Sequence, residues 1–221
     1  MMMNDLIVKF LRFHLLAIFI FIFSLNLQGQ NSSKQAEIDK KVNAFLQSKK
    51  SEWRYWNVPF EDGQLLYELI VKNKYTSGLE IGTSTGHSTI WMAWAMSKTG
   101  GKVITVEIDA GRYKTALENI KKAGLSEFVD ARLSDAHKEV KELEGPFDFV
   151  FSDADKGWYT QYFKDVDPKL KVGGCFTAHN VSNSYGGADE FVKYVQKLPN
   201  YKTTIDKSSS SGVSISYKKS E

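Results

Sequence analysis

Gly78-Leu79-Glu80-Ile81-Gly82-Thr83-Ser84-Thr85-Gly86-His87-Ser88 is the stretch on which the reading of this chain turns. Leu79 to Ile81 is an apolar run of strand length, and a helical pattern occupies residues 88–98. Gly82 and Gly86 fall between the two. At such a turn a ligand can meet bare backbone at a helix N-terminus, and a nucleotide-like molecule is the natural occupant. Two glycines also serve an ordinary tight turn, so the loop needs support from the rest of the chain.

Outward from the loop, apolar runs at Val103–Val106, Phe128–Ala131, Phe147–Phe151 and Cys175–Ala178 alternate with helical stretches near 110–123, 135–143, 158–166 and 188–197. That alternation predicts an α/β fold with a mostly parallel sheet and helices on both faces. Lys202–Asp206 and Val213–Tyr217, joined by Ser208–Gly212, read as an antiparallel C-terminal hairpin that brings the sheet to seven strands. Upstream, Ile38, Val42, Phe45 and Leu46 mark an amphipathic cap helix over residues 36–50. A second helix, Asp62–Lys74, lines up Leu65, Leu66, Leu69 and Ile70. The expected organisation is a linker and cap helix over 30–61 and one domain over 62–221.

Glu107 closes the second strand about 25 residues after Gly82, where a carboxylate can accept two hydrogen bonds from ribose hydroxyls; a solvated strand-end carboxylate is the plainer alternative. The Gly-x-Gly-x-x-Gly spacing of a pyrophosphate loop is absent, and Glu80 would repel a pyrophosphate. A carboxylate there suits instead the methionine end of S-adenosylmethionine, whose sulfonium and ammonium are both positive. Gly82-Thr83-Ser84-Thr85-Gly86 also fits Gly-x-Ser-x-Gly, with Asp153 and His179 following in the order of an α/β-hydrolase triad. Against that rival, only helices precede the motif and no His-Gly-Gly loop lies upstream.

After the fourth strand, Asp153-Ala154-Asp155-Lys156 carries charge to the rim where open α/β sheets bind ligands, and Ala178-His179-Asn180 follows at the end of the next strand. Asp153, His179 and Asn180 could hold one divalent cation, which would acidify and orient a substrate hydroxyl. Lys156 could take the proton of that hydroxyl once a neighbouring cation depresses its pKa. The structural alternatives are an N-cap at Asp155, a satisfied loop histidine and an ordinary rim lysine. Trp53, Trp56, Trp158 and Tyr159 either wall a flat substrate or pack in the core.

The chain has 221 residues, 42% of them hydrophobic, and a net charge of +3 with acidic and basic residues spread throughout. This suits one domain and a small-molecule partner, and offers no basic face for nucleic acid. Its one cysteine, Cys175, excludes a disulfide framework and a cysteine-based zinc site, and its apolar surroundings suggest a core thiol. Lys9 and Arg12 precede an apolar run from Leu15 to Phe23, and Gly29 stands before a polar stretch. Residues 1–29 therefore read as an export signal, with a membrane anchor over 10–27 and a cytosolic chain as the other readings. Export fits poorly with a cofactor made in the cytosol, a conflict that an anchored domain facing the cytosol removes.

From Trp53 to Tyr194 the sequence resembles the metal-dependent O-methyltransferases typified by the catechol and caffeoyl-CoA enzymes. The motifs are Trp56-Asn57-Val58 with Gly63-Gln64-Leu65-Leu66, Leu79-Glu80-Ile81-Gly82 through Ser88, Glu107, Ser134-Asp135-Ala136, Asp153-Ala154-Asp155-Lys156, Asn180-Val181 and Gly187-Ala188-Asp189-Glu190-Phe191. The resemblance implies a Rossmann-like methyltransferase fold and S-adenosylmethionine as cofactor. It implies cofactor contacts from Val58, Glu80, Gly82, Ser88, Glu107, Asp135 and Ala136, with Gly86 in the same loop and Asp153 shared with the metal. It further implies metal ligands at Asp153 and Asn180 and the base at Lys156. His179 departs from the family, which usually has aspartate there; imidazole favours Zn²⁺, Mn²⁺ or Fe²⁺ over Mg²⁺. The expected function is methyl transfer to a hydroxyl of a small, phenolic acceptor. A cofactor-binding module without catalysis is the alternative, and a homodimer is left open.

Overall fold

The computed structural model describes residues 32–53, 56–182 and 185–221, so the export or anchor reading of residues 1–29 lies outside the described residues. No described helix is long and apolar enough to cross a membrane. The chain divides into Met1–Lys40, described as helical over 32–40, and a compact unit Lys41–Glu221. Within the second unit residues 41–49 are helical (α1), and Val42 and Leu46 are buried.

The second unit is a seven-stranded sheet in the order β3-β2-β1-β4-β5-β7-β6. Its strands are β1 (Ser77–Ile81), β2 (Lys102–Glu107), β3 (Val129–Leu133), β4 (Phe147–Ser152), β5 (Leu170–His179), β6 (Tyr201–Asp206) and β7 (Val213–Lys218). The first five pair in parallel, and β7 runs antiparallel to both β5 and β6. The helices are α2 (Phe60–Asn73), α3 (His87–Thr99), α4 (Ala110–Ala123), α5 (Ala136–Glu142), α6 (Tyr159–Val166) and α7 (Ala188–Val195).

The twofold alternation of a strand sorts β1 between two layers. Leu79 and Ile81 join Val150, Phe176, Phe163 and Phe191 in the core shared with α5, α6 and α7. Gly78 and Glu80 meet α3 instead: a Cβ on Gly78 would stand 2.8 Å from Met96, and the Thr89 hydroxyl bonds Glu80. Helix α3 is buried from His87 through Met96, covered by α2, whose Gly63 leaves room for the Trp91 ring. Cys175 is a fully buried thiol, as its apolar run suggests.

The differences from the sequence reading lie at element ends. Helix α2 begins two residues early, at Phe60, directly after its N-cap residue Pro59 (φ −54°, ψ 156°). Strand β3 is delayed by a 3₁₀ turn at Ser126–Phe128, and β5 starts at Leu170 because its first half crosses Gly173 and Gly174, which carry no strand signal. Strand order reverses between β1 and β4, and the crevice at the carboxyl ends of those two strands is where such sheets bind ligands.

Candidate active site

A cavity of about 280 Å³ opens at that crevice. Its floor is the turn after β1. Gly82 has φ +103°, and a Cβ there would lie 3.0 Å from the backbone of Asp153 and Ala154, so only glycine lets the two strand ends approach. Val58, Ser84, Ser88, Glu107, Asp135, Ala136, Asp153 and Lys156 also line the cavity. Gly86 does not; with φ +93° it caps α3 and packs a bare Cα near Ala116.

Glu107 is held rigidly. Its Oε2 accepts from the Ser84 N–H at 2.7 Å and its Oε1 from the Ile108 and Asp109 N–H groups at 3.1 and 2.9 Å. Arg112 Nε stands 3.6 Å away. Glu80 lies below the cavity, fully buried, with its Oε2 accepting from Thr105 at 2.5 Å and from Thr89, and its Oε1 without a partner. Burial pushes its carboxyl up to about 7, against the lowering effect of the Ser88, Thr105 and Thr89 hydroxyls. Asp135 caps α5 through the His137 N–H at 2.9 Å and faces the cavity beside Ala136.

Asp153 follows β4, with Lys156 Nζ 2.7 Å from its Oδ1 and His179 Nδ1 3.2 Å from the same oxygen. Burial works to raise its carboxyl, yet His179 and Lys156 hold it below the usual carboxylate range. Lys156 Nζ also donates to the carbonyls of Asp153 and Ala154, both at 3.2 Å. His179 ends β5, 3% exposed, with Nε2 2.8 Å from Asp62 Oδ2. Burial opposes its protonation, but the flanking Asp153 and Asp62 prevail and lift it to about 9. Asn180 follows with φ +58°.

Among the described residues no three His, Cys, Asp or Glu side chains form a metal-holding group. Of the expected ligands Asp153, His179 and Asn180, the first two stand side by side, with Nδ1 3.2 Å from Oδ1. An orphaned atom supports the fit, since His179 Nδ1 is buried beside Asp153 and makes no hydrogen bond, its approach to Asp153 being out of line for one. The hydrolase reading fails on geometry. Ser84 Oγ is buried without a hydrogen-bond partner, and the His179 nitrogens face Asp62 and Asp153, so no base addresses the serine.

The aromatic residues divide. Tyr159 is core, donating its hydroxyl to the His179 carbonyl at 3.1 Å. Trp53 stacks on His87 with centroids 4.5 Å apart, and Trp158 stacks on His137 at 3.9 Å. Trp56 is 79% exposed at the cavity mouth.

The chain as a whole has counterparts among known proteins. Residues 30–196 match the family model described as O-methyltransferase. The chain belongs to the O-methyltransferase family. A catechol O-methyltransferase of Niastella koreensis is 43% identical over 107 residues, 47% of this chain and 48% of that protein. A caffeoyl-CoA O-methyltransferase of Eucalyptus globulus is 33% identical over 130 residues, 57% of this chain and 52% of that protein. The chain thus spans about half the length of these curated relatives. The solved O-methyltransferase of Bacillus cereus, in complex with SAH, superposes with a TM-score of 0.71 at 26% identity, over 81% of this chain and 91% of that one.

Several residues in and around this cavity escape sequence reasoning. His87 donates from Nδ1 to the Val58 carbonyl at 2.9 Å and accepts from Trp91 Nε1 at 3.1 Å, tying the segment before α2 to the cavity. Burial drops its pKa to about 4, so the ring is neutral there. Arg112, Tyr162 and His137 line the cavity without any motif to announce them. Asp62 did leave a signal: with Leu66, Leu69 and Ile70 it shares the buried side of α2, and a carboxylate on an apolar face demands a partner.

Proposed function

We propose that the chain transfers a methyl group from S-adenosylmethionine to a hydroxyl oxygen of a small phenolic acceptor. One observation carries this reading. The cradle of Gly82, Glu107 and Asp135 opens onto Asp153 and Lys156 within the same cavity, so a nucleoside cation and an acceptor hydroxyl can meet there. When bound, the cofactor supplies a methyl carbon on a positively charged sulfur. Glu107 accepts the ribose hydroxyls, Asp135 and the backbone at Ala136 meet the base, and the carboxylate of Glu80 opposes the positive methionine end through the Ser88 side of the floor. Lys156, once it has given up a proton and stands as the free amine, receives the acceptor's proton, leaving the oxygen free to bond the methyl as the carbon–sulfur bond breaks. A divalent cation on Asp153, His179 and Asn180 would supply Lewis acidity to the acceptor oxygen.

The test is incubation of the protein with S-adenosylmethionine and catechol, read by mass spectrometry. A product heavier by one methyl group supports the reading; absence of product together with absence of cofactor binding would sink it. A pH profile of cofactor affinity checks Glu80 separately. A proton on Glu80 competes with a cationic ligand, so binding strengthens as pH rises toward about 7 and levels off above it. The expected gain is up to about tenfold per pH unit below that point, flattened by Glu80→Gln. A flat profile in the wild-type chain counts against Glu80 as the partner of the cation.

A further inference from the structure

We infer that Asp62 is a positioning residue for a divalent cation: it fixes His179 so that Nδ1, beside Asp153, is the ion-binding nitrogen. The inference rests on the metal-assisted reading above and assigns the element that makes it work in this chain.

Asp62 stands in the first turn of α2, 1% exposed, and its Oδ2 is gripped from two other parts of the fold. His179 Nε2 at the end of β5 lies 2.8 Å away, and the Ser209 hydroxyl, from the turn between β6 and β7, donates to the same oxygen at 2.8 Å. A carboxylate on one imidazole nitrogen holds a proton there and sets the ring angle, so an ion that displaces the other proton is met by Nδ1. That nitrogen is buried and without a hydrogen bond, 3.2 Å from Asp153 Oδ1. That spacing would let the two atoms reach one shared ion. Without Asp62 the ring is free to turn or to change tautomer. A carboxylate from Asp153 and an imidazole from His179 suit Mn²⁺ better than Mg²⁺.

The test is calorimetric titration of the full chain with Mn²⁺ and with Mg²⁺, for the wild type and Asp62→Asn, alongside S-adenosylmethionine. The expected result is tighter binding of Mn²⁺ than of Mg²⁺ by the wild type, an affinity for Mn²⁺ about 10–100-fold weaker in the variant, and little change in cofactor affinity. Equal Mn²⁺ affinity in both proteins overturns the role of Asp62 while leaving ion binding intact. No ion binding by the wild type overturns the metal-assisted reading, and this inference with it. Should the variant fail to fold, ring-nitrogen NMR of His179 in the Zn²⁺-loaded wild type decides. A protonated Nε2 with zinc on Nδ1 supports the assignment, and a protonated Nδ1 with zinc on Nε2, or zinc on neither, overturns it.

Discussion

Lys156→Met and Lys156→Arg are both expected to slow single-turnover methyl transfer by about 10²–10⁴-fold, the range typical of a lost general base. Lys156 Nζ is steered by three oxygens at once, Asp153 Oδ1 at 2.7 Å and the carbonyls of Asp153 and Ala154 at 3.2 Å. These contacts come from the short turn after β4, where the Asp155 side chain caps the 3₁₀ segment by accepting from the Gly157 N–H at 3.0 Å. The amine is therefore held at the cavity wall with its reach fixed. Methionine removes charge and proton acceptor together. Arginine keeps the charge but does not give up its proton in a protein, so it separates the two roles. If the arginine variant keeps most of the wild-type rate, Lys156 acts as a fixed charge and not as a base. Cofactor affinity, measured on the same proteins, is expected to stay close to wild type, which places the loss in the chemical step.

The second large effect is expected at Glu107. Replacing it with alanine removes an acceptor for both ribose hydroxyls and strips the Ser84, Ile108 and Asp109 N–H groups of theirs. Hydrogen bonds to a charged group contribute about 1.5–3 kcal/mol each, so two of them at the low end amount to about 3 kcal/mol, or roughly a hundredfold in Kd. Glu107→Gln should fall between, since an amide oxygen can serve only part of the donor set. Because the ribose is common to S-adenosylmethionine and its demethylated product, both ligands should weaken alike. Titration calorimetry reads this directly. A weakening confined to one of the two would show that Glu107 acts on the sulfur end and not on the sugar.

The parts of this site that were legible in the sequence share one property: they are local. A glycine turn, a carboxylate at a strand end and the Asp153-Ala154-Asp155-Lys156 run each declare themselves within a few residues, and the alternation of strand and helix then brings them to one rim. The parts that were not legible depend on distance along the chain. Asp62 meets Ser209 across 147 positions and His179 across 117, and no periodicity encodes such a meeting. His87 reads as one more loop residue until its ring is seen bridging Val58 and Trp91. Tyr159 shows the converse: its place beside a charged motif left a substrate wall and core packing equally open, and α6 turns it inward against Phe191. Strand ends were blurred for a simpler reason, since the first half of β5 runs through Gly173 and Gly174 and is held by pairing rather than by propensity.

Trp56 has an optical consequence. Its indole is 79% exposed at the cavity mouth, with the Arg112 guanidinium 5.5 Å from the ring, whereas Trp91 and Trp94 are 5% and 8% exposed. Trp53 and Trp158 are half-buried, so Trp56 is the wettest of the five indoles and stands where a ligand must pass. Occupation of the cavity dries that indole and shifts its colour toward the blue, so the protein carries its own dye for watching the site fill, with no label attached.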